Sequence, residues 1–215
     1  MRRREFVTLL GGAAAAWPLA VGAQQPSMAL VGLLLSTQLD DRQIGAIRQG
    51  LKDAGYIEGR NLAIKCRSAD SRFDRLPAMA AELVADPVAA IVALGPAAAL
   101  AAKGASSTMP IAFAIGADPV DLSLVASLNR PGGNVTGVTF LINTLGAKRL
   151  ELLRELVPSA TVIGFLVNAR NPTSQSQTAD VQAAARAHDI KLVTSDASSE
   201  RDIDTAFASF GSTAC

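Results

Sequence analysis

Aromatic side chains make up only 4% of this 215-residue chain, and it has one His and two Cys. Such scarcity removes several chemistries. His188, Cys66 and Cys215 have no metal-ligand spacing, so neither a structural nor a catalytic zinc site is expected. His188 has no evident Ser or Cys nucleophile partner, which argues against triad catalysis and against an enzyme. No G-x-G-x-x-G follows a strand pattern, so dinucleotide binding is unsupported, and no cofactor is expected. Internal runs of about 18 or more apolar residues are also missing, so the mature chain should not stay inserted in a membrane. Nor does charge of one sign dominate, with 20 basic residues against 19 acidic ones.

What is present begins with an address label. Met1-Arg2-Arg3-Arg4 is basic, residues 6–20 are moderately apolar, and Val21-Gly22-Ala23 puts small residues where a signal peptidase cuts, before Gln24. A signal peptide over residues 1–23 is therefore expected, and Arg3-Arg4-Glu5-Phe6-Val7 resembles the twin-arginine type. Removing Arg2, Arg3, Arg4 and Glu5 leaves 17 basic and 18 acidic residues, formally −1, which offers no electrostatic footprint for nucleic acid. An oxidising destination permits a disulfide. Cys66 falls in a strand pattern, however, and Cys215 is the last residue, so two unpaired thiols are expected.

The remaining chain is Ala-rich and predicts an aliphatic core. Residues 29–35 are continuously apolar, which suits a strand covered on both faces. Ile44, Ile47 and Leu51 follow at helical spacing, with Gly55 as the stop. Strands are predicted at 62–66, 88–94, 111–115 and 135–139. Helices are predicted around Leu76 to Val84, over 97–103 behind Pro96, and through Leu122, Val125 and Leu128. Alternation of this kind means an α/β domain with a Rossmann-like parallel sheet. Right-handed crossovers then put Ser36, Gly95 and Gly116 along one edge, the place where open α/β sheets bind ligands.

From Asn143 the rhythm restarts. A helix carries Leu145, Leu152, Leu153 and Leu156, a strand covers 161–167, and Asn171-Pro172 reads as the N-cap and first position of another helix. A short strand at 190–194 precedes Ser199-x-x-Asp202, a capping-box variant. Two parallel strands with three helices make a thin unit. The helix face Lys148-Arg149-Glu151-Arg154-Glu155 reads as solvated ion pairing.

Several residues are candidates for ligand contact, each beside a plainer role. Asp118 follows a strand end, where its carboxylate would meet a ligand amine or serve a turn before Pro119. Ser36 and Thr37 would hold a carboxylate with the amides of the following helix, or simply cap that helix. Gly95-Pro96 and Gly116 would allow close backbone approach, or make ordinary turns. Thr136 and Thr139 lie near the crossing to the second unit and read chiefly as strand-packing residues. Asn168 and Asn171 end the second unit's first strand, one of them facing the cleft from the opposite side. No predicted cleft loop carries an aromatic residue, so a small polar or aliphatic ligand is as well supported as an aromatic one.

Taken together, RRREFVTLLGGAAAAWPLAVGAQQ, RQGLKDAGYIEGRNLAI, FDRLPAMAAELV, GADPVDLSLVASLNRPGGNVTGVT, KRLELLRELVP and FLVNARNPTSQ resemble one family. It comprises the substrate-binding proteins of bacterial ABC transporters related to the tryptophan/tyrosine-type binding proteins. The resemblance implies a type I periplasmic-binding fold, in which two α/β lobes joined by a hinge close over a small molecule and present it to a membrane permease in the periplasm. It divides the chain into an N-terminal lobe over 24–140, a partial second lobe over 141–208 and a divergent tail over 209–215. Family members continue beyond the Phe207 region with another buried strand, so an incomplete second lobe is expected, and a non-functional fragment is the alternative. A secreted α/β enzyme is the remaining alternative.

Overall fold

The computed structural model describes residues 28–213; the expected signal peptide and Cys215 lie outside the described residues. β1 (Ala29–Leu35) is ALVGLLL, with no polar face to turn toward water. It pairs in parallel with β2 (Leu62–Ser68) on one side and β3 (Ala90–Leu94) on the other. β4 (Ile111–Ile115) and β5 (Val135–Thr139) complete a five-stranded parallel sheet in the order β2-β1-β3-β4-β5. Of the helices, α1 (Asp41–Asp53) has no buried residue, whereas α2 (Leu76–Ala85) and α3 (Pro96–Ala105) pack on the sheet. The core is aliphatic, as the composition predicts: Leu34, Leu83, Ile91 and Ile111 are buried with the small faces of Ala98, Ala99 and Ala102.

Helix boundaries follow local chemistry. Asp40 caps α1 by accepting from Gln43 N–H at 2.7 Å, while the Gln43 side chain accepts from Asp40 N–H at 3.0 Å, a reciprocal capping box. Gly55, with φ of +88°, ends that helix where the sequence places the stop. Pro96 opens α3 as expected.

The stretch predicted as a helix through Leu122, Val125 and Leu128 is instead a chain of turns. The Asp118 carboxylate draws in Val120 N–H at 2.7 Å, and the Pro119 carbonyl accepts from both Leu124 and Val125 N–H. Ser123 then enters the left-handed region with φ of +54°, which no α-helix sustains. The Lys103 ammonium donates to the Ser123 and Leu124 carbonyls, groups that a helix would have used internally. Leu124 and Val125 are buried and Leu128 is exposed, so the apolar stripe marks packing without helical geometry.

Beyond β5 come α4 (Gly146–Leu156), β6 (Val162–Val167), α5 (Ser174–Ala187), β7 (Lys191–Asp196) and α6 (Glu200–Thr213). β6 and β7 form a separate two-stranded parallel sheet. Its core is small: Leu150, Ala185 and Ile190, with Ile163 and Leu192 half-buried against them. α5 starts later than expected, because Asn171 does not cap it. The Asn171 Oδ1 accepts from Thr173 N–H at 3.1 Å and Thr173 hydroxyl at 2.9 Å, holding a turn ahead of the first helical residue. The capping box at α6 forms with a shift. Asp202 N–H donates to Ser199 Oγ at 3.3 Å, and the Asp202 carboxylate accepts from Ser198 N–H and hydroxyl in addition to its interaction with Ser199. No helix of the described residues is long and apolar enough to cross a membrane.

Two outcomes follow from this packing. Leu34→Ala, at a fully buried site, should cost about 2–5 kcal/mol in urea unfolding, whereas Leu156→Ala, 79% exposed, should stay within about 0.5 kcal/mol. Equal costs would contradict the core assigned above. Cys66 is a free thiol on β2, and partial burial pushes its pKa up, with the Arg67 charge opposing weakly. Since the thiolate is the nucleophile, alkylation of Cys66 in a Cys215→Ser background should need higher pH than a free cysteine. Arg67→Ala should move the curve higher still; a shift to lower pH would count against this reading.

Candidate functional site

Three strands of the first sheet end side by side. Ser36, Gly95 and Gly116 follow β1, β3 and β4, and the backbone ladder continues past the strands: Ser36 N–H donates to the Leu94 carbonyl and Gly95 N–H to the Ala114 carbonyl, both at 3.0 Å. The expected edge therefore exists, with its residues in the expected order.

Ser36 has a role that local sequence does not reveal. It is buried, and its hydroxyl accepts from Ala98 N–H at 3.0 Å, in the first turn of α3. It caps a helix that follows the neighbouring strand, not the helix that follows its own, which Asp40 caps. Gly95 holds the N-cap position of α3 without a side chain of its own. Its φ is +95°, and a Cβ there would lie 2.5 Å from Ser36 Oγ. Gly95 is thus required by the contact between strand end and helix.

The cap leaves one donor of the first turn uncommitted. Pro96 has no N–H, Ala98 N–H is taken by Ser36, and Ala99 N–H donates to the Gly95 carbonyl. Ala97 N–H remains, at the positive end of the α3 dipole. Exposed Thr37 stands next to Ser36. The edge can accordingly receive a carboxylate on a backbone amide and a hydroxyl.

The other sequence candidates divide. Gly116 meets the Ile142 side chain, which a Cβ would approach to 2.6 Å, and its carbonyl accepts from Asn143 N–H at 3.0 Å. Its missing side chain makes room for protein. Asp118 Oδ1 holds the turn described above, accepting from Val120 N–H. Thr139 ends β5 at the same edge, its hydroxyl donating to the Ala117 carbonyl at 2.7 Å and accepting from Leu141 N–H at 3.2 Å. Thr136 pairs with Ala112 near the opposite end of β5, away from that edge. Asn168 ends β6 in the other sheet, with its Oδ1 accepting from Arg170 N–H at 3.0 Å.

Sequence reasoning missed two features of the edge. Asp70 and Ser71, just past β2, both have positive φ, at 51° and 65°, and Ser71 N–H donates to the Ser36 carbonyl. Successive left-handed non-glycine residues cost energy and concentrate where function constrains the chain; nothing in the local residue types announces them. Phe140 follows β5 with 65% of its surface exposed, beside Leu141 with φ of +49° and exposed Ile142. An aromatic residue does stand at the edge, contrary to the expectation. A strand ending one residue before a phenylalanine was the available signal.

Away from this edge, the Arg154 guanidinium donates to His188 Nδ1 at 2.6 Å beside a recess of about 400 Å³ lined also by Glu151, Glu155 and Pro158. Hydrogen bonding from Lys148, and then its charge, holds the exposed Glu151 carboxyl below its ordinary range. The pairing is of the solvated kind predicted for this helix face.

Comparison with known proteins agrees with this architecture. Residues 30–213 match the family described as ABC transporter substrate binding protein. A tyrosine-binding protein of Clostridioides difficile is 30% identical over 186 residues, covering 86% of this chain and 53% of the relative. Among solved structures, a conserved domain protein from Vibrio cholerae superposes with a TM-score of 0.76 at 29% identity, covering 87% of this chain and 64% of that one. An ABC domain from Streptococcus pneumonia in complex with L-Trp superposes with a TM-score of 0.74 at 25% identity, covering 87% and 63%. The chain therefore spans between about half and two thirds of the length of these relatives. The parallel α/β architecture is that of type I periplasmic-binding proteins, and by the match over residues 30–213 the chain belongs to the ABC transporter substrate-binding protein family.

Proposed function

We propose that this chain is the solute-binding component of an ABC importer, exported by its twin-arginine-like signal and working in the periplasm with a membrane permease. The ligand is an amino acid with an apolar or aromatic side chain. It is bound without covalent chemistry at the carboxyl edge of the five-stranded sheet, between a lobe over 24–140 and a second unit over 141–208. The observation that carries this reading is the first turn of α3, where the Ser36 hydroxyl caps Ala98 N–H and the Ser36–Gly95 contact fixes the helix end, with Thr37 the exposed residue after Ser36. An α-carboxylate is complementary to that geometry. Asp118 supplies negative charge nearby for an α-ammonium, although its Oδ1 already serves the turn.

Phe140 and Ile142 favour an apolar ligand side chain over the small polar solute that sequence alone allows equally. The names of the relatives point the same way, one being a tyrosine-binding protein and another a complex with L-Trp. Closure over the ligand would be a hinge movement of the two units, and residues 140–146 are the connection that such a hinge would use.

Titration calorimetry with L-tyrosine, L-tryptophan, L-leucine, L-aspartate and L-lysine tests the assignment. Saturable binding of the apolar amino acids is expected, with none for aspartate or lysine. Phe140→Ala, at an exposed site, should leave the melting temperature unchanged while weakening aromatic ligands by roughly 0.5–1.5 kcal/mol. Heat from none of the five, with a cooperative melt intact, would overturn the proposal.

A further inference from the structure

The second unit contains a void that the sheet-edge site does not use. In β6, Gly164 faces α6, since a Cβ there would lie 2.8 Å from the Phe210 ring. By the alternation of a strand, Ile163 and Phe165 point to the opposite face, where Leu150 of α4 and Ala185 of α5 pack. A cavity of about 220 Å³ lies on that face. Its apolar walls are Leu150 and Leu153 of α4, Val181 of α5, and Ile163, Phe165 and Leu192 of the sheet.

Fixed contacts bracket this cavity. At its head, α4 begins with Gly146 so close to α5 that a Cβ would lie 2.7 Å from Val181 Cγ2. At the far end, the Arg154 guanidinium donates to His188 Nδ1 at 2.6 Å, which ties the last turn of α4 to the C-cap of α5. α4 is thus fastened to α5 on either side, and the packing stays incomplete along the turns between, at Leu150 and Leu153.

The polar groups of the lining are donors of one kind of charge. Asn143, Arg149 and Gln177 line the cavity, and no Asp or Glu among the described residues does. Lys148 is paired with Glu151, and Arg154 with His188. The exposed Arg149 guanidinium and the Asn143 side-chain amide have no hydrogen-bond or ion-pair partner among the described residues. Gln177 is held in position by its amide, which donates to the Thr173 hydroxyl at 2.6 Å.

Apolar walls with a few convergent polar groups are the make-up of a small-molecule site. An unpaired guanidinium beside an amide is complementary to a carboxylate. An α-ammonium would find no acidic partner in this lining, so a free amino acid is a poor match. The size narrows the class further. An apolar cavity of about 150 Å³ takes benzene, so this one has room for about nine non-hydrogen atoms. The Phe165 ring has no aromatic neighbour among the described residues and offers a face to a planar ligand.

We infer that this cavity is a second binding site, for a small apolar monocarboxylate of the size of benzoate. The hydrophobic part lies against Phe165, Leu150 and Val181, and the carboxylate meets Arg149 and Asn143.

An amide NMR titration of the full chain with sodium benzoate tests this, with benzylammonium as the charge-reversed control. Saturable shifts are expected from benzoate at Gly146, Arg149, Gly164, Gln177 and Val181, and none there from benzylammonium. Arg149→Gln, at an exposed position, should weaken benzoate about tenfold at an unchanged melting temperature. Leu153→Trp, at a site 40% exposed, should fill the cavity and abolish the shifts. Absence of saturable shifts at these amides would overturn the inference, as would benzoate shifts confined to Thr37 and Ala97, which mark use of the sheet-edge site. Equal binding of benzylammonium, or undiminished benzoate affinity in Arg149→Gln, would mark an apolar void without carboxylate recognition and overturn it too.

Discussion

Saturation of β1 is the constraint on which the rest of the structure depends. A strand of seven apolar residues can be buried only if both of its hydrogen-bonding edges are paired, and β2 and β3 provide that pairing along nearly its whole length. Once β1 is fixed between them, the residue that follows it determines what the sheet edge looks like. Ser36 then lies against Gly95, the hydroxyl caps α3, and the first turn of that helix faces the edge with one amide to spare. The candidate site is thus a by-product of how a central strand ends.

Where a feature depended on a residue and its near neighbours, the sequence was legible. The apolar run of β1, the stop at Gly55, Pro96 at the head of α3 and the alignment of Ser36, Gly95 and Gly116 all follow from residue type and spacing. The errors have a common physical origin in groups that meet across the fold. Leu122, Val125 and Leu128 have helical spacing, but Lys103 on α3 takes the carbonyls that would have closed the helix. Ser36 looked like the cap of its own helix and caps another. Gly116 looked open to ligand and is covered by Ile142. Thr136 and Thr139 both pair with β4, as the strand-packing reading expects.

The second unit illustrates the same constraint by contrast. Its strand β6 has the apolar composition of a central strand and the pairing of an edge strand. Its main apolar cluster has three buried residues, with Val181 and Ala206 also buried in the unit, against the extended cluster beneath the first sheet. The second unit is therefore the less consolidated of the two among the described residues. The groups proposed for the amino-acid backbone all lie on the first sheet and its loops.

The central claim is that an amino acid sits at the carboxyl edge of the first sheet, with its carboxylate on the head of α3. The most direct measurement is a backbone NMR titration of the chain with L-tyrosine, following the amides of Thr37, Ala97, Asp118 and Phe140. The account requires saturable shifts at these residues, largest at Ala97, with the amides at the opposite end of the sheet, such as Val135 and Leu62, unmoved. Saturable shifts confined to residues away from this edge would contradict it.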